Sequence, residues 1–214
     1  MSSSCLLCQS KALFFSHQEI HSRDFFKCQK CSFIFVNRMT TLDRIEEKKR
    51  YDNHNNHELT EGYAKFLNRL ISVVDERFEH ESLGLDFGSG PYPMLMRLLS
   101  EKGYQNLTGF DPYYNNNILY RKKKYDFITM CEVFEHVSKP LEEFKHLIDL
   151  LRPKGALIVS TGIFDDQIDF NSWYYTLDET HINFFGRSSF EFLEKETGTE
   201  LLVIGKDLVI FQKK

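Results

Sequence analysis

Four cysteines stand in two pairs of identical spacing, Cys5-x-x-Cys8 and Cys28-x-x-Cys31, and two acids close apolar runs downstream, Asp86 and Asp111. Each cysteine pair can turn two thiolates onto one tetrahedral ion, and two pairs complete a ligand set. Four protein ligands leave no open position, so the expected metal is a structural zinc. His17 and His21 offer a rival Cys2His2 set, but their separation from Cys8 is short for a finger. Asp86 follows Leu83-Gly84-Leu85 and opens the turn Phe87-Gly88-Ser89-Gly90. An apolar strand running into an acidic, glycine-rich turn lets backbone approach a ligand closely. Asp111, after Gly109-Phe110, supplies a second carboxylate about one strand–helix–strand unit later, where a nucleotide ribose would lie. Pro91-Tyr92-Pro93 then replaces the third glycine of a dinucleotide fingerprint. Proline removes an N–H that a pyrophosphate would use, which disfavours NAD and FAD. An acid at the strand end suits a cationic ligand.

The chain has 214 residues, 42% hydrophobic and 14% aromatic, enough for one α/β domain and a small appendage. A net charge of −4 argues against a dedicated nucleic-acid binder. Arg121-Lys122-Lys123-Lys124 reads as a solvated turn before a strand. No stretch near the N-terminus is apolar enough for a signal peptide or membrane span, so a cytoplasmic location is expected. In a reducing compartment the paired cysteines favour metal over disulfide, and the lone Cys131 reads as a small buried residue.

The elements that must position these groups follow in three blocks. Residues 1–37 form a zinc-ribbon-like module whose short apolar runs flank each knuckle and depend on metal for stability. Residues 38–80 read as a helical linker or lid, with Tyr63, Phe66, Leu67, Leu70, Ile71 and Val74 at helical spacing. Tyr51 and His54 lie in a polar, histidine-rich run there that reads equally as linker or lid. Residues 81–214 alternate strands and helices, which predicts an α/β, Rossmann-like, mainly parallel sheet. Arg152-Pro153-Lys154-Gly155 reads as a turn, and Ser188-Ser189-Phe190-Glu191 has capping-box spacing. Leu201–Ile204 and Leu208–Phe211 predict an antiparallel C-terminal hairpin.

Residues 80 to 214 resemble class I S-adenosylmethionine-dependent methyltransferases. The resemblance rests on Asp86-Phe87-Gly88-Ser89-Gly90, on Asp111, on Tyr125 through Val137 with its trailing Glu135-His136, and on Leu151-Arg152-Pro153-Lys154-Gly155-Ala156. It implies that Asp86 faces the methionine part of S-adenosylmethionine and that Gly88, Ser89 and Gly90 pass beneath it. Asp111 would hold the ribose, with Met130 and Tyr63 also on the cofactor. About fifteen residues separate Asp111 from Asp126, too few for the family's third strand and its helix, so the adenine contact from that strand has no match. The middle of the sheet should therefore be shortened, with Ile118-Leu119-Tyr120 as a remnant. The cysteine module is similar to the N-terminus of sugar C-methyltransferases.

Methyl transfer from a sulfonium needs alignment, exclusion of water and sometimes proton removal. Glu132, Glu135 and His136 leave the fourth strand at its carboxyl end, where catalytic groups belong. His181 is the first candidate for a general base or acceptor-orienting group, because imidazole titrates near neutrality. The aromatic stretch from Trp173 to Phe185 around it would form the acceptor pocket, with Trp173 stacking on acceptor or closing the core. The expected partner is a small-molecule methyl acceptor, such as a sugar or a carrier-linked intermediate. A non-catalytic binding protein of the same fold and an RNA methyltransferase are the rival readings.

Overall fold

The computed structural model describes residues 1–53 and 58–214. Near-continuous apolar runs such as Ala156-Leu157-Ile158-Val159 can only be buried on both faces, and they form the centre of a six-stranded sheet. Its members are β5 (Gly84–Phe87), β6 (Leu107–Phe110), β7 (Tyr125–Cys131), β8 (Leu151–Ser160), β11 (Glu200–Ile204) and β12 (Leu208–Gln212). The order is β11-β12-β8-β7-β5-β6. β6, β5, β7 and β8 run parallel, whereas β12 and β11 return antiparallel at one edge. Helices α2 (Glu61–Arg77), α3 (Met94–Glu101), α4 (Pro140–Leu150) and α5 (Arg187–Thr197) accompany it. Between β6 and β7 lies only a 3-10 turn, Ile118–Lys122, where a third strand and helix would otherwise stand.

A second sheet holds β1 (Ser2–Ser4), β2 (Lys11–Gln18), β3 (Arg23–Cys28) and β4 (Ile34–Val36). It does not end with the N-terminal segment. β10 (Asn183–Gly186) pairs antiparallel with β4, and β9 (Ile163–Phe164) pairs with β10, giving the order β1-β2-β3-β4-β10-β9. Three residues per strand are too few for β4 to bury a face unaided, and the chain beyond β8 supplies the missing neighbours. Phe33, Phe185, Phe190 and Phe134 are fully buried in one continuous core with Leu85 and Val159, so the two sheets share an interior. Phe134 and Phe185 stack with centroids 4.3 Å apart. A buried phenylalanine contributes roughly 1.5–3 kcal/mol by leaving water.

Three local expectations change. The last helix starts at Arg187, not after Ser188: Ser189 occupies the third helical position and its hydroxyl accepts the Gly186 N–H at 3.4 Å. The same hydroxyl donates to the Cys31 carbonyl at 3.0 Å, so packing against the cysteine module selects the start. Residues 152–155 form a bulge inside β8 rather than a turn ahead of it. Leu151 pairs with Tyr125 and Ala156 with Phe127, and the residues between loop outward. Tyr51 closes a further helix, α1 (Arg44–Asp52), while His54 lies outside the described residues.

Asn183 pins β10 to the turn after β7. Its amide donates to the carbonyls of Phe134 at 3.1 Å and Val137 at 2.7 Å, and its oxygen accepts from Arg38 at 2.8 Å. With no exposed surface, loss of this side chain strands buried carbonyls. Asn183→Ala should lower stability by about 2–3 kcal/mol in urea unfolding. A loss below ~1 kcal/mol would mean that solvent reaches those carbonyls.

Candidate active site

The turn after β5 requires glycine at two points. Gly88 has φ +82°, and a Cβ there would meet Val133 Cγ2 at 2.3 Å. Gly90 has φ +66° with nothing within 4 Å of its would-be Cβ, so the backbone borders open space. That space is a cavity of about 680 Å³ at the carboxyl ends of the parallel strands. Asp86, Ser89, Gly90, Asp111 and Tyr63 line it, and Glu132, His136 and His181 line it as well.

Asp86 is 6% exposed and accepts the Thr129 hydroxyl at 2.8 Å. Burial pushes its carboxyl up to about 6; the Thr129 hydrogen bond opposes this and the nearby Asp111 adds to it. A carboxylate in this state is stabilised by any cation placed beside it. Asp111 organises the loops around it. One oxygen accepts the Gly90 N–H at 3.0 Å, and the other accepts the N–H groups of Tyr113 and Tyr114 at 2.8 and 3.1 Å. In place of the third strand, Tyr120 packs on Phe110 at 4.3 Å and both reach the cavity wall.

Met130 is not on that wall. Side chains alternate along β7, and the pleat turns Met130 into the core with no exposed surface while Cys131 faces the cavity. The expected Met130 contact with the cofactor is thereby corrected. Burial raises the Cys131 thiol well above its usual range, so it remains protonated.

Helix α1 covers one side of the cavity. Its start is fixed by a capping box, in which Asp43 accepts the N–H groups of Ile45 and Glu46 at 2.8 and 2.9 Å. Glu47 accepts the hydroxyls of Tyr51, at 2.8 Å, and of Tyr113. Asp52 accepts the Tyr114 hydroxyl at 2.7 Å, and Arg44 donates to the Pro112 carbonyl at 3.1 Å. The helix is thus latched onto the loop that Asp111 shapes. The adjacent tyrosines after Asp111 were the available signal for this latch in the sequence.

Acidic and histidine side chains line the same cavity. Glu132 has φ +52°, a left-handed backbone that costs a non-glycine residue about 1–2 kcal/mol. Its carboxylate accepts from Ser160 at 3.1 Å and Tyr175 at 3.3 Å. Glu135 is fully buried just behind the wall and accepts the Thr161 hydroxyl at 3.0 Å. Burial raises both carboxyls, and their mutual repulsion raises Glu132 further. His136 Nδ1 meets the Thr180 carbonyl at 2.9 Å, and His181 Nδ1 meets the Tyr175 carbonyl at 2.8 Å. Their rings stand 4.8 Å apart. Burial, reinforced by His136, pushes His181 down to about 3. Burial thus favours the neutral imidazole, and with the proton on Nδ1 facing the Tyr175 carbonyl its Nε2 is left as a lone pair.

Of the aromatic stretch from Trp173 to Phe185, His181 is the member that reaches the cavity. Trp173 stacks on Tyr175 at 5.0 Å and packs beside Phe164, Phe170 and Phe184, closing the core of the second sheet. The loop bearing His181 is held by Arg23 of β3, which is 2% exposed. One guanidinium nitrogen donates to the carbonyls of Asp178, Glu179 and His181 at 3.1–3.2 Å, and another donates to the Thr176 carbonyl. No periodicity or motif marks Arg23 in the sequence.

At the cysteine cluster all four sulfurs lie within 4.8 Å of one another, with Cys5–Cys31 at 3.6 Å and Cys8–Cys28 at 3.4 Å. The two knuckles share a geometry. Gln9 and Ser32, each following the second cysteine, have φ +57° and +55°, and each donates to the carbonyl of the first cysteine. His17 and His21 lie elsewhere, paired with Asp24 at 2.7 Å and Glu179 at 2.9 Å.

Residues 54–203 match the methyltransferase-domain family. No curated protein matches the chain in sequence. Among solved structures, a methyltransferase from Methanosarcina mazei superposes with TM-score 0.50 and 17% identity, over 66% of this chain and 96% of that one. The DesVI protein of Streptomyces venezuelae gives TM-score 0.53 at 11% identity, over 81% and 99%. A putative sarcosine dimethylglycine methyltransferase from Galdieria sulphuraria gives 0.50 at 20%, over 66% and 63%. At such identities the likeness is one of fold. With the family match spanning most of the chain, and the acids and glycines of the β5 and β6 turns on one cavity, the protein belongs to the class I S-adenosylmethionine-dependent methyltransferases.

Proposed function

We propose that the protein transfers a methyl group from S-adenosylmethionine to a small-molecule acceptor, with a sugar or a carrier-linked intermediate as the acceptor class. The observation that carries this reading is that Asp86, Gly90, Asp111, Glu132 and His181 all line one cavity. The cofactor supplies an electrophilic methyl on a sulfonium. Asp86, destabilised by burial, gains from the positive charge of the methionine part. Gly90 leaves room where any Cβ would protrude, and Asp111 offers its remaining lone pairs to the ribose hydroxyls. Tyr120 and Phe110 provide an aromatic surface for adenine in place of the third strand, and Tyr63 and Tyr51 limit access of water. Glu132 and the neutral imidazole of His181 accept hydrogen bonds from the acceptor and orient its nucleophile.

The cysteine cluster is proposed to hold one structural zinc. Thiolates about 2.3 Å from a tetrahedral ion stand roughly 3.8 Å apart, close to the spacings found. The backbone N–H groups of Leu7, Cys8 and Lys30 approach cysteine sulfurs at 3.4–3.5 Å and would stabilise thiolate charge. In this reading the ion braces the knuckles that carry β3, and β3 carries Arg23. Nucleic acid is not an expected partner, and among the described residues no helix is long and apolar enough to cross a membrane.

Three outcomes follow. Calorimetry should detect S-adenosylmethionine binding, weakened by about 1–3 kcal/mol in Asp111→Ala through lost charge-assisted hydrogen bonds; absence of binding to the wild type would sink the reading. Arg23→Met should cut turnover at least tenfold while cofactor affinity holds, because it frees the loop bearing His181; equal turnover would detach that loop from catalysis. Elemental analysis should find one zinc per chain, lost together with cooperative unfolding in Cys28→Ser, and a metal-free wild type that unfolds cooperatively would refute the zinc assignment.

A further inference from the structure

We propose that Glu135, His136 and His181 form a site for a divalent transition-metal ion at the cavity, separate from the cysteine cluster. One ligand atom from each of the three lies within 4.8 Å of the others, and Glu135 Oε1 stands 3.8 Å from His136 Nε2. Donors bound to one ion at about 2.0–2.2 Å lie roughly 3–3.5 Å apart, so the three side chains would draw inward around the ion.

Three independent features point to a cation there. Both imidazoles direct Nδ1 at a backbone carbonyl, Thr180 for His136 and Tyr175 for His181. A ring nitrogen facing a carbonyl oxygen must carry the proton, so in the neutral rings that burial favours, both Nε2 atoms are lone pairs. This is the outer support that metal-bound histidines regularly have. Glu135 matches it: Thr161 donates to Oε2 at 3.0 Å, while Oε1 is buried and has no hydrogen-bond partner among the described residues. An orphan carboxylate oxygen beside an imidazole lone pair places acceptor against acceptor, an arrangement that is stable only with a cation or proton between them. The surrounding charge agrees, since Glu47, Glu132 and Asp178 all act on His136, with Arg23 opposing from beyond His181.

Two histidines and a carboxylate suit iron, cobalt, nickel, zinc or manganese in the divalent state and leave further positions open. His136 and His181 line the cavity, so an ion held there has an entry path, and with His181 Nε2 as its ligand the ion's open positions take over from that lone pair the orientation of the acceptor's nucleophile. The ligand class this adds is an acceptor with an oxygen able to coordinate the metal beside the methyl donor. The use of the site rests on the methyl-transfer reading, whereas metal binding does not.

Zinc-loaded protein titrated with cobalt(II) separates the two. One equivalent should bind with weak visible bands and without the intense near-ultraviolet absorption of cobalt thiolate, which would instead report exchange at the cysteines. His181→Gln and Glu135→Gln should each weaken cobalt(II) at least tenfold, while zinc content and S-adenosylmethionine affinity stay at wild-type values. Wild-type protein that takes up no cobalt(II), or takes it up only with thiolate absorption, overturns the site with no variant needed. Unchanged cobalt(II) affinity in either variant also overturns it. If S-adenosylmethionine fails to bind while cobalt(II) binds, the functional reading falls and the metal site stands.

Discussion

A buried guanidinium joins the two halves of this molecule. Arg23 sits on the cysteine-bearing sheet, almost without exposure, and its donors end on carbonyls of residues 176–181. A charge so placed is tolerable only because every direction it points meets an acceptor. Gln18, from the same sheet, meets the same loop by donating to the Thr176 carbonyl at 2.8 Å. The position of His181 therefore depends on residues more than 150 places earlier in the chain. β10 and β9 extend that coupling through backbone pairing, so the N-terminal sheet and the part of the cavity wall that bears His181 are one packing unit.

The cavity concentrates acids that would be more stable elsewhere. Asp86 and Glu135 are buried and Glu132 is half-buried, and burial raises all three carboxyls. Groups displaced in this way mark places where binding of a cation recovers what folding lost. Asp86 and Glu135 differ in what they offer. At Asp86 one hydroxyl partner leaves room for a charged ligand, while at Glu135 the oxygen 3.8 Å from His136 Nε2 has no hydrogen-bond partner among the described residues.

Much of the parallel sheet was legible because its signals are local. Leu83 through Gly90 carries strand, acid and turn in eight consecutive residues, and Gly88 and Gly90 do take up left-handed backbone. The paired cysteines announced their cluster by spacing alone, and the short interval before Asp126 announced the missing third strand. The reading of Met130 failed by one residue, because a pleated strand sends neighbours to opposite faces and register is a property of the sheet. The helix start at Arg187 was misread for a related reason: Ser189 was recruited by the Cys31 carbonyl, a partner distant in sequence.

The sequence by itself determined the element types, the glycine-rich turn, the two acids at strand ends and the cysteine pairs, since each arises from residues in consecutive or fixed short spacing. Tertiary structure alone decided what the histidines do. His136 and His181 are 45 positions apart, and only the folded chain brings their rings to 4.8 Å, ties both Nδ1 atoms to carbonyls and sets Glu135 beside them. It also decided that the N-terminal sheet runs on into β10 and β9 and that Arg23 holds the loop between them. Proton position, burial and charge at such a site depend on contacts that no short stretch of sequence contains.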